Sequence, residues 1–550
     1  MRATTLLLSG VLLLNPMLSP WVQAQQRDYA AQQEKLDLAL INALRDEALN
    51  RSQAQNYLAS LTDEIGPRLT GSPGLKHAAD WARQTLQGLG LQQVRSESFA
   101  PFGVGWTYNK ASARLITPFA LDLTAIPKAW TPGTQGVQRG KLMIAKINAE
   151  EDFAKWKGKL AGAIIMLETP RLLSPHTKAD AQRYSHDDLQ ELQNFPTEAS
   201  SSPRGDLATY LKNFHFQKKL LPFLTEEKVL AIISPSRGDD GTIFVQGGGS
   251  YKKGEAMGPT SLVLVTETYN RLYRLTEKKK ELELELDVQA QIHPEDPQAA
   301  VNVLAEWPGS DKKEEVVMLG AHLDSWHGGT GATDNAAGVA ITLEALRLLK
   351  EAGFKPRRSI RIALWGGEEQ GLLGSRAWVK KNLAERPEPT DPKELELPSF
   401  ARKLTGPLSY KAMHSKVSVY FNLDNGAGKI RGIYAENNAA IKPIFEAWLQ
   451  PFHDLGATTV TLRKTGSTDH VSFDSVGVPG FEFIQDRLDY SARTHHSNMD
   501  VYDKVPKEDI MQASLIMASF VAHAANREEM LPRKPLPKDP AKPGSGESGK

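Results

Sequence analysis

The sequence predicts an α/β fold: a mixed, mostly parallel central sheet with helices on both faces, joined by an inserted β-rich segment. Three observations carry that expectation. First, Glu315–Gly320 (EVVMLG) reads as a strand, Ala336–Glu351 as a helix and Ser359–Trp365 (SIRIALW) as a strand, and another helix begins near Leu372. Strands alternating with helices of that length build parallel sheets. Second, these strands are apolar at nearly every position, as burial on both faces requires. Third, from Pro118 to Gly258 the helical period gives way to short strand-like runs separated by Pro and Gly.

In chain order, Met1-Arg2 precedes an apolar run from Leu6 to Leu14 and a small-residue site at Val22-Gln23-Ala24. Basic start, short apolar stretch and small-residue site describe a secretory signal peptide over residues 1–24. A spanning helix needs about 20 apolar residues, and Asn15, Pro16 and Pro20 interrupt this run. Residues 28–65 read as helix, with Leu36, Leu40, Ile41 and Leu44 at helical spacing. A loop dense in breakers follows from Ile65 to Gly74, and a helix from Leu75 to Leu89 is stopped by Gly90. Lys141–Lys146 and Gly162–Leu167 read as buried strands. Residues 170–225 carry scattered charge with no sustained period, which leaves surface loop and partial disorder both open. Val417–Leu423 and Gly480–Ile484 supply further strands, and Leu531–Lys550, rich in Pro, Lys, Gly and Ser, reads as a disordered tail.

Composition excludes several functions. Lys+Arg 66 against Asp+Glu 65 leaves a formal charge of +1, so no basic field attracts nucleic acid. The absence of cysteine rules out disulfide frameworks, thiolate metal sites and thiol nucleophiles. Any metal must be held by His, Asp and Glu. No apolar run after the leader is long enough to span a membrane, so the exported chain, periplasmic or secreted, is expected to be soluble.

Five short segments concentrate polar residues where strands should end, the place where open α/β sheets build their sites. Gly320-Ala321-His322-Leu323-Asp324-Ser325 follows an apolar strand, and Asp324 is placed to orient the His322 imidazole. Gly331-Ala332-Thr333-Asp334-Asn335-Ala336-Ala337-Gly338 puts Asp334 at a helix start, where it either caps the helix or bridges two cations. Trp365-Gly366-Gly367-Glu368-Glu369-Gln370-Gly371 holds adjacent carboxylates that can divide tasks between metal ligand and general base. Asn422-Leu423-Asp424-Asn425 and Thr494-His495-His496-Ser497-Asn498-Met499-Asp500, with Tyr490 ahead of it, complete the set. A site of His, Asp and Glu suits zinc. Two such ions, about 3.5–4 Å apart, share a carboxylate and activate one water.

The ordered motifs HLDS, TDN, GEEQG, NLDN and HHSNMD resemble those of the co-catalytic zinc exopeptidases of the aminopeptidase Y and glutamate carboxypeptidase family, over residues 36–110 and 285–525. The resemblance implies a zinc-peptidase fold, with peptidase parts at 25–115 and 285–530 and an inserted protease-associated domain at 116–284. It further implies two zinc ions per chain and peptide substrates. His322 and Asp424 would hold the first ion, Glu369 and His496 the second, and Asp334 would bridge them. Glu368 would be the general base, Asp324 the carboxylate behind His322, and Tyr490 a donor to the developing oxyanion. His495 would be a neighbour able to touch substrate.

No G-x-S-x-G and no H-E-x-x-H occurs, which argues against serine hydrolases and single-zinc proteases of the thermolysin kind. Three other readings remain at this level: a carboxypeptidase or dipeptidase, a single-zinc glutaminyl cyclase, and an inactive receptor-like binding protein. The stretch Thr333–Gly338 favours an aminopeptidase, whereas Trp326 resembles the carboxypeptidase and dipeptidase branches. Arg487, Arg493, Asp486 and Asp489 near the fifth segment offer both charge signs for gripping a peptide end.

Overall fold

The computed structural model describes residues 34–194, 207–398, 401–403, 405–537 and 539. The proposed leader, residues 1–24, lies outside the described residues. Among the described residues no helix is long and apolar enough to cross a membrane.

The α/β expectation holds. Eight strands form one sheet, in the order Gln92–Ser98, Val301–Trp307, Arg358–Trp365, Lys312–His322, Val417–Asn422, Gly480–Gln485, Ile430–Tyr434, Thr459–Thr461. The four strands at its centre run parallel, and antiparallel pairings flank them on both sides. Alternation across the sheet assigns side chains to two packed faces. Trp365 and Tyr420 meet Trp378 and Phe473 on one face, under the helices Leu373–Asn382 and His470–Asp474. Phe421, one residue on, points the other way, against Phe445, Phe481 and Phe520. That second face is covered by helices that include Ala337–Glu351 and Lys507–Asn526.

A second eight-stranded sheet draws on residues from Gly105 to His293, and its long antiparallel pair Gly105–Thr117 and Glu283–His293 carries the chain out and back. Its core is mostly Leu and Ile, with Ala113, Met166, Ala231 and Val288, and with Tyr269 and Tyr273 from the helix Thr266–Glu277.

Several elements differ from the sequence expectation. The helix expected over 28–65 is broken: Leu38–Asn50 and Ala54–Ala59 are separate, and a wide turn Ser60–Ile65 follows. Ser52 and Gln53 break the ladder, since Ser52 Oγ accepts from Ala54 N and Glu344 accepts from Gln53 N. In the stretch 170–225, Leu207–Glu226 is a 20-residue helix and His186–Gln193 a shorter one. The tail departs as well. Leu531 is buried and donates to Ser418 Oγ, and Arg533 donates to the carbonyls of His414 and Val417. These apolar and cationic anchors hold the first residues of a segment whose composition reads as disordered, while residues 540–550 lie outside the described ones.

Candidate metal centre

All five polar segments meet at the carboxyl ends of the parallel strands. The strand Lys312–His322 delivers His322 at its last position, and Arg358–Trp365 leads directly into Glu368 and Glu369. Val417–Asn422 ends two residues before Asp424, and Gly480–Gln485 leads on to the Tyr490–His496 loop. Asp334 arrives from the loop preceding the helix Ala337–Glu351.

Asp334 occupies the middle. Its Oδ1 is 3.1 Å from His322 Nε2, and the same nitrogen is 3.2 Å from Asp424 Oδ1. Its Oδ2 is 3.1 Å from His496 Nε2, which is also 3.0 Å from Glu369 Oε2. One carboxylate thus faces two separate sets of ligating atoms, one through each oxygen. The helix-cap alternative goes to its neighbour: Asn335 Oδ1 accepts from Gly338 N at 3.0 Å, and Asn335 Nδ2 donates to Leu423 O at 2.9 Å. That leaves Asp334 available and ties its loop to the one carrying Asp424. Gly338 is needed there, because a Cβ would stand 2.3 Å from Asn335 Oδ1 and 2.5 Å from Leu423 O.

Behind the imidazoles the contacts differ from the sequence expectation in one respect. His322 Nδ1 donates to the backbone carbonyl of Asp324 at 2.9 Å, while the Asp324 carboxylate stands 3.7 Å away. That carboxylate instead accepts from the amides of Glu368 and Glu369, at 3.2 and 3.3 Å, and from Thr70 Oγ1 at 2.9 Å. Asp324 thereby fixes the segment that presents both glutamates. Asp500 does the same for the Asp334 loop, accepting from Thr333 N at 2.6 Å and Thr333 Oγ1 at 2.8 Å.

His496 sits in a left-handed backbone conformation, φ 66°, which costs a non-glycine residue about 1–2 kcal/mol. The second sheet's connecting segment holds it there. Val245 N donates to His496 O at 2.9 Å, Ile243 N donates to Asn498 Oδ1 at 2.7 Å, and Asn498 N donates back to Ile243 O at 3.0 Å. Trp326 backs the ring, edge-on to His496 at 6.0 Å and to Trp130 at 5.8 Å. The His495 ring lies against His496, centroids 3.8 Å apart and tilted by 40°, and reaches within 3.8 Å of Asp334 Oδ2.

The electrostatics describe a site short of positive charge. Burial opposes charge on His322, yet the surrounding carboxylates of Asp424, Asp324 and Asp334 hold it well above its ordinary pKa. Burial likewise opposes charge on His496, and Glu369 and Asp334 push it to about 10. Burial, then repulsion from Asp334, lifts Glu369 to about 7, and burial foremost lifts Glu368 well above the carboxylate range. Burial raises Tyr490 well above 10, so its hydroxyl keeps its proton and can donate.

A divalent cation answers these shortages. Asp334 Oδ2 and Glu369 Oε1 are buried without a hydrogen-bond donor. His322, Asp334 and Asp424 each offer a ligand atom within 4.8 Å of the others, as do Asp334, His495 and His496. Imidazole and carboxylate without thiolate is a donor set that zinc accepts, and metal binding displaces the protons these groups otherwise hold. Zinc therefore fits the residues present.

The centre opens into a cavity of about 810 Å³ whose walls include Glu368, Tyr490 and His495. Leu207, Tyr210 and Asn213 of the unexpected helix Leu207–Glu226 close one side. Sequence reasoning missed these residues and Arg68. Arg68 is fully buried behind the site and donates to the carbonyls of Leu61, Gly66, Leu323, Thr330 and Gly331. Only its place in a breaker-rich loop marked that segment in the sequence.

Parallel strands ending in a carboxylate-and-imidazole cluster, open to a cavity, define an α/β metallohydrolase. The comparisons agree with that class: the model of Peptidase family M28 matches residues 302–521. Over most of its length it is similar to carboxypeptidase Q of Bos taurus, 27% identical over 490 residues, 88% of each chain. Its structure is similar to that of a peptidase M28 precursor from Shewanella amazonensis, 25% identical, with a TM-score of 0.62 over 92% of this chain and 100% of that one. A zinc aminopeptidase from Bacillus subtilis, 19% identical with a TM-score of 0.51 over 86% of this chain and 95% of that one, shares the fold.

Proposed function

We propose that this chain is a family M28 peptidase, an exported, two-zinc exopeptidase that acts as a carboxypeptidase or dipeptidase on peptides with a free carboxyl end. The observation that carries the two-metal reading is Asp334, with one oxygen toward His322 and Asp424 and the other toward His496 and Glu369. The residues present would hold one ion on each side. When bound, such a pair acidifies water from a pKa of 15.7 toward about 7 and polarises a carbonyl.

Within that arrangement Glu368 takes the proton from the attacking water and returns it to the leaving amine. Its burial and its raised pKa suit a group that holds a proton between the two transfers. Tyr490 donates to the oxygen on which charge develops. Asp324 keeps Glu368 and Glu369 in register through their amides.

On direction of attack, the sequence favoured an aminopeptidase, and one comparison now supports the alternative. The full-length relative above bears the name carboxypeptidase Q. The charged residues of both signs that left the question open stand apart from the cavity lining and favour neither end. Arg493 is engaged with Asp180, Asp239 and Asp240, Arg487 lies over the Tyr184 ring, Asp486 pairs with Arg183 and Arg431, and Asp489 with Lys504. Residues 116–284 are proposed as a protease-associated insertion and residues 1–24 as an export leader.

A digest of peptides labelled at either end tests the reading. Chelator-sensitive shortening from the carboxyl end, or cleavage of dipeptides alone, is expected. Stepwise loss from the amino end would restore the aminopeptidase. Full activity with a single metal and release of pyroglutamyl products would favour a cyclase, and no chelator-sensitive cleavage at all a binding protein.

A further inference from the structure

One fully buried carboxylate of the central sheet has no part in the centre described so far. Glu482 is the third residue of the strand Gly480–Gln485, between Phe481 and Phe483, and none of its surface is exposed. An ionisable side chain in a strand packed on both faces costs free energy unless its oxygens are satisfied. Local rules broken in a core strand point to function.

The ladder sets Glu482 beside Asn422 of the neighbouring parallel strand. Among the described residues, every hydrogen bond to its carboxylate comes from the motif Asn422-Leu423-Asp424-Asn425. Asn422 Nδ2 donates to Oε2 at 2.6 Å, Asp424 N to Oε1 at 2.7 Å and Asn425 Nδ2 to Oε1 at 3.3 Å. On the other side stands His470, also fully buried, with Nδ1 3.8 Å from Glu482 Oε2 and so beyond hydrogen-bond reach. The carboxylate is therefore committed to the loop that presents Asp424.

Two other buried acids serve the other ligand loops. Asp324 accepts from the amides of Glu368 and Glu369, and Asp500 accepts from the amide of Thr333, next to Asp334. Glu482 gives the Asp424 loop the same support. Asp424 Oδ1 lies 3.2 Å from His322 Nε2, on the Oδ1 side of Asp334, whereas His496 and Glu369 meet on the Oδ2 side. Support for Asp424 is thus support for one half of the centre.

We infer that Glu482 is a positioning residue: it holds Asp424 in place and so sets how tightly the chain binds the ion on the His322 side, leaving the His496 side unaffected. The inference rests on the two-zinc reading above. It gives the two halves of the centre separately adjustable affinities.

Zinc titration of the metal-free protein against a competing chelator tests it, in wild type, Glu482→Ala and Glu482→Gln. Wild type is expected to bind two ions. Glu482→Ala should weaken one of them about 10- to 100-fold, as loss of a group behind a ligand does, and leave the other unchanged. Glu482→Gln keeps the shape but turns one acceptor into a donor, so the same ion should weaken by less, and it provides the reading should the alanine variant fail to fold. Excess zinc should return Glu482→Gln to the wild-type kcat, because Glu368 is untouched. In an Asp424→Ala background Glu482→Gln should add nothing to the loss already present, since residues that act through one contact are not additive. Equal weakening of both ions in a folded Glu482→Gln, unchanged affinities, or a full further loss in the Asp424→Ala background overturns the inference while leaving the two-zinc reading standing. A wild type that binds a single ion overturns both.

Discussion

Glu368 and Asp334 lie in one buried cluster, and removing each should break a different thing. Glu368→Ala takes away the proton carrier and leaves every proposed ligand in place. Metal content should stay at the wild-type level while kcat falls by about 10²-fold or more, the loss expected for a general base. Asp334→Ala removes the carboxylate that faces His322 through one oxygen and His496 through the other. Metal itself should then be lost, read by elemental analysis after dialysis. Near-normal turnover in Glu368→Ala would cancel its role. The types of residue at this site were legible because three of the motifs, HLDS, GEEQG and NLDN, sit at the ends of apolar runs. Less legible was the route of each contact. Asp324 was expected to orient His322 with its carboxylate, yet that group fastens the Glu368 and Glu369 amides. Spacing of two places the pair on one side of the chain, and it does not say which oxygen of Asp324 meets the ring.

Among the elements, the segment Ile243–Val245 does what no local pattern announces: it pairs with the loop carrying His496, some 250 residues on. Asn498→Ala withdraws the oxygen that accepts from Ile243 N. Metal affinity should fall by about 10- to 100-fold, the usual consequence of loosening the groups behind a ligand. Titration with a competing chelator measures it, and unchanged affinity would mean that His496 holds its left-handed backbone without this strut.

A second clasp joins the same regions. His176 is hydrogen-bonded to Asp239 at 2.8 Å and Asp180 at 2.9 Å, and Arg493 reaches Asp180 at 2.7 Å. Those bonds, Asp239 first and then Asp180, raise the His176 pKa above 6.5. A histidine raised on folding lends stability that is complete below its unfolded pKa and is lost as pH climbs through the folded value. Amide exchange protection around residues 176–182 and 239–242 should therefore fall as pH climbs from 6.5 through the raised value of His176. In His176→Gln that dependence should vanish. A flat profile in the wild type would show that the arginine alone holds the clasp.

The missed helix Leu207–Glu226 belongs to this scale as well. Its Lys212, Lys218 and Lys219 and the internal Pro222 dilute the apolar spacing, and only Leu220 and Leu224 are fully buried. A helix that keeps so little of itself in the core leaves a weak period in the sequence, even where its first turns wall the cavity.

At the scale of the molecule, the central sheet was legible because strands buried on both faces read as unbroken apolar runs, and the site because α/β sheets build at strand ends. The cavity was not, since its lining joins Leu207, Arg376, Ser467 and Tyr490, residues that no spacing rule connects. Direction of attack depends on that lining, which motif spacing does not reach. The most direct measurement is a crystal structure of the zinc-loaded protein with anomalous data at the zinc edge. The account requires two peaks flanking Asp334, one against His322 and Asp424 and the other against His496 and Glu369. A single peak, or ions bound away from Asp334, would contradict it.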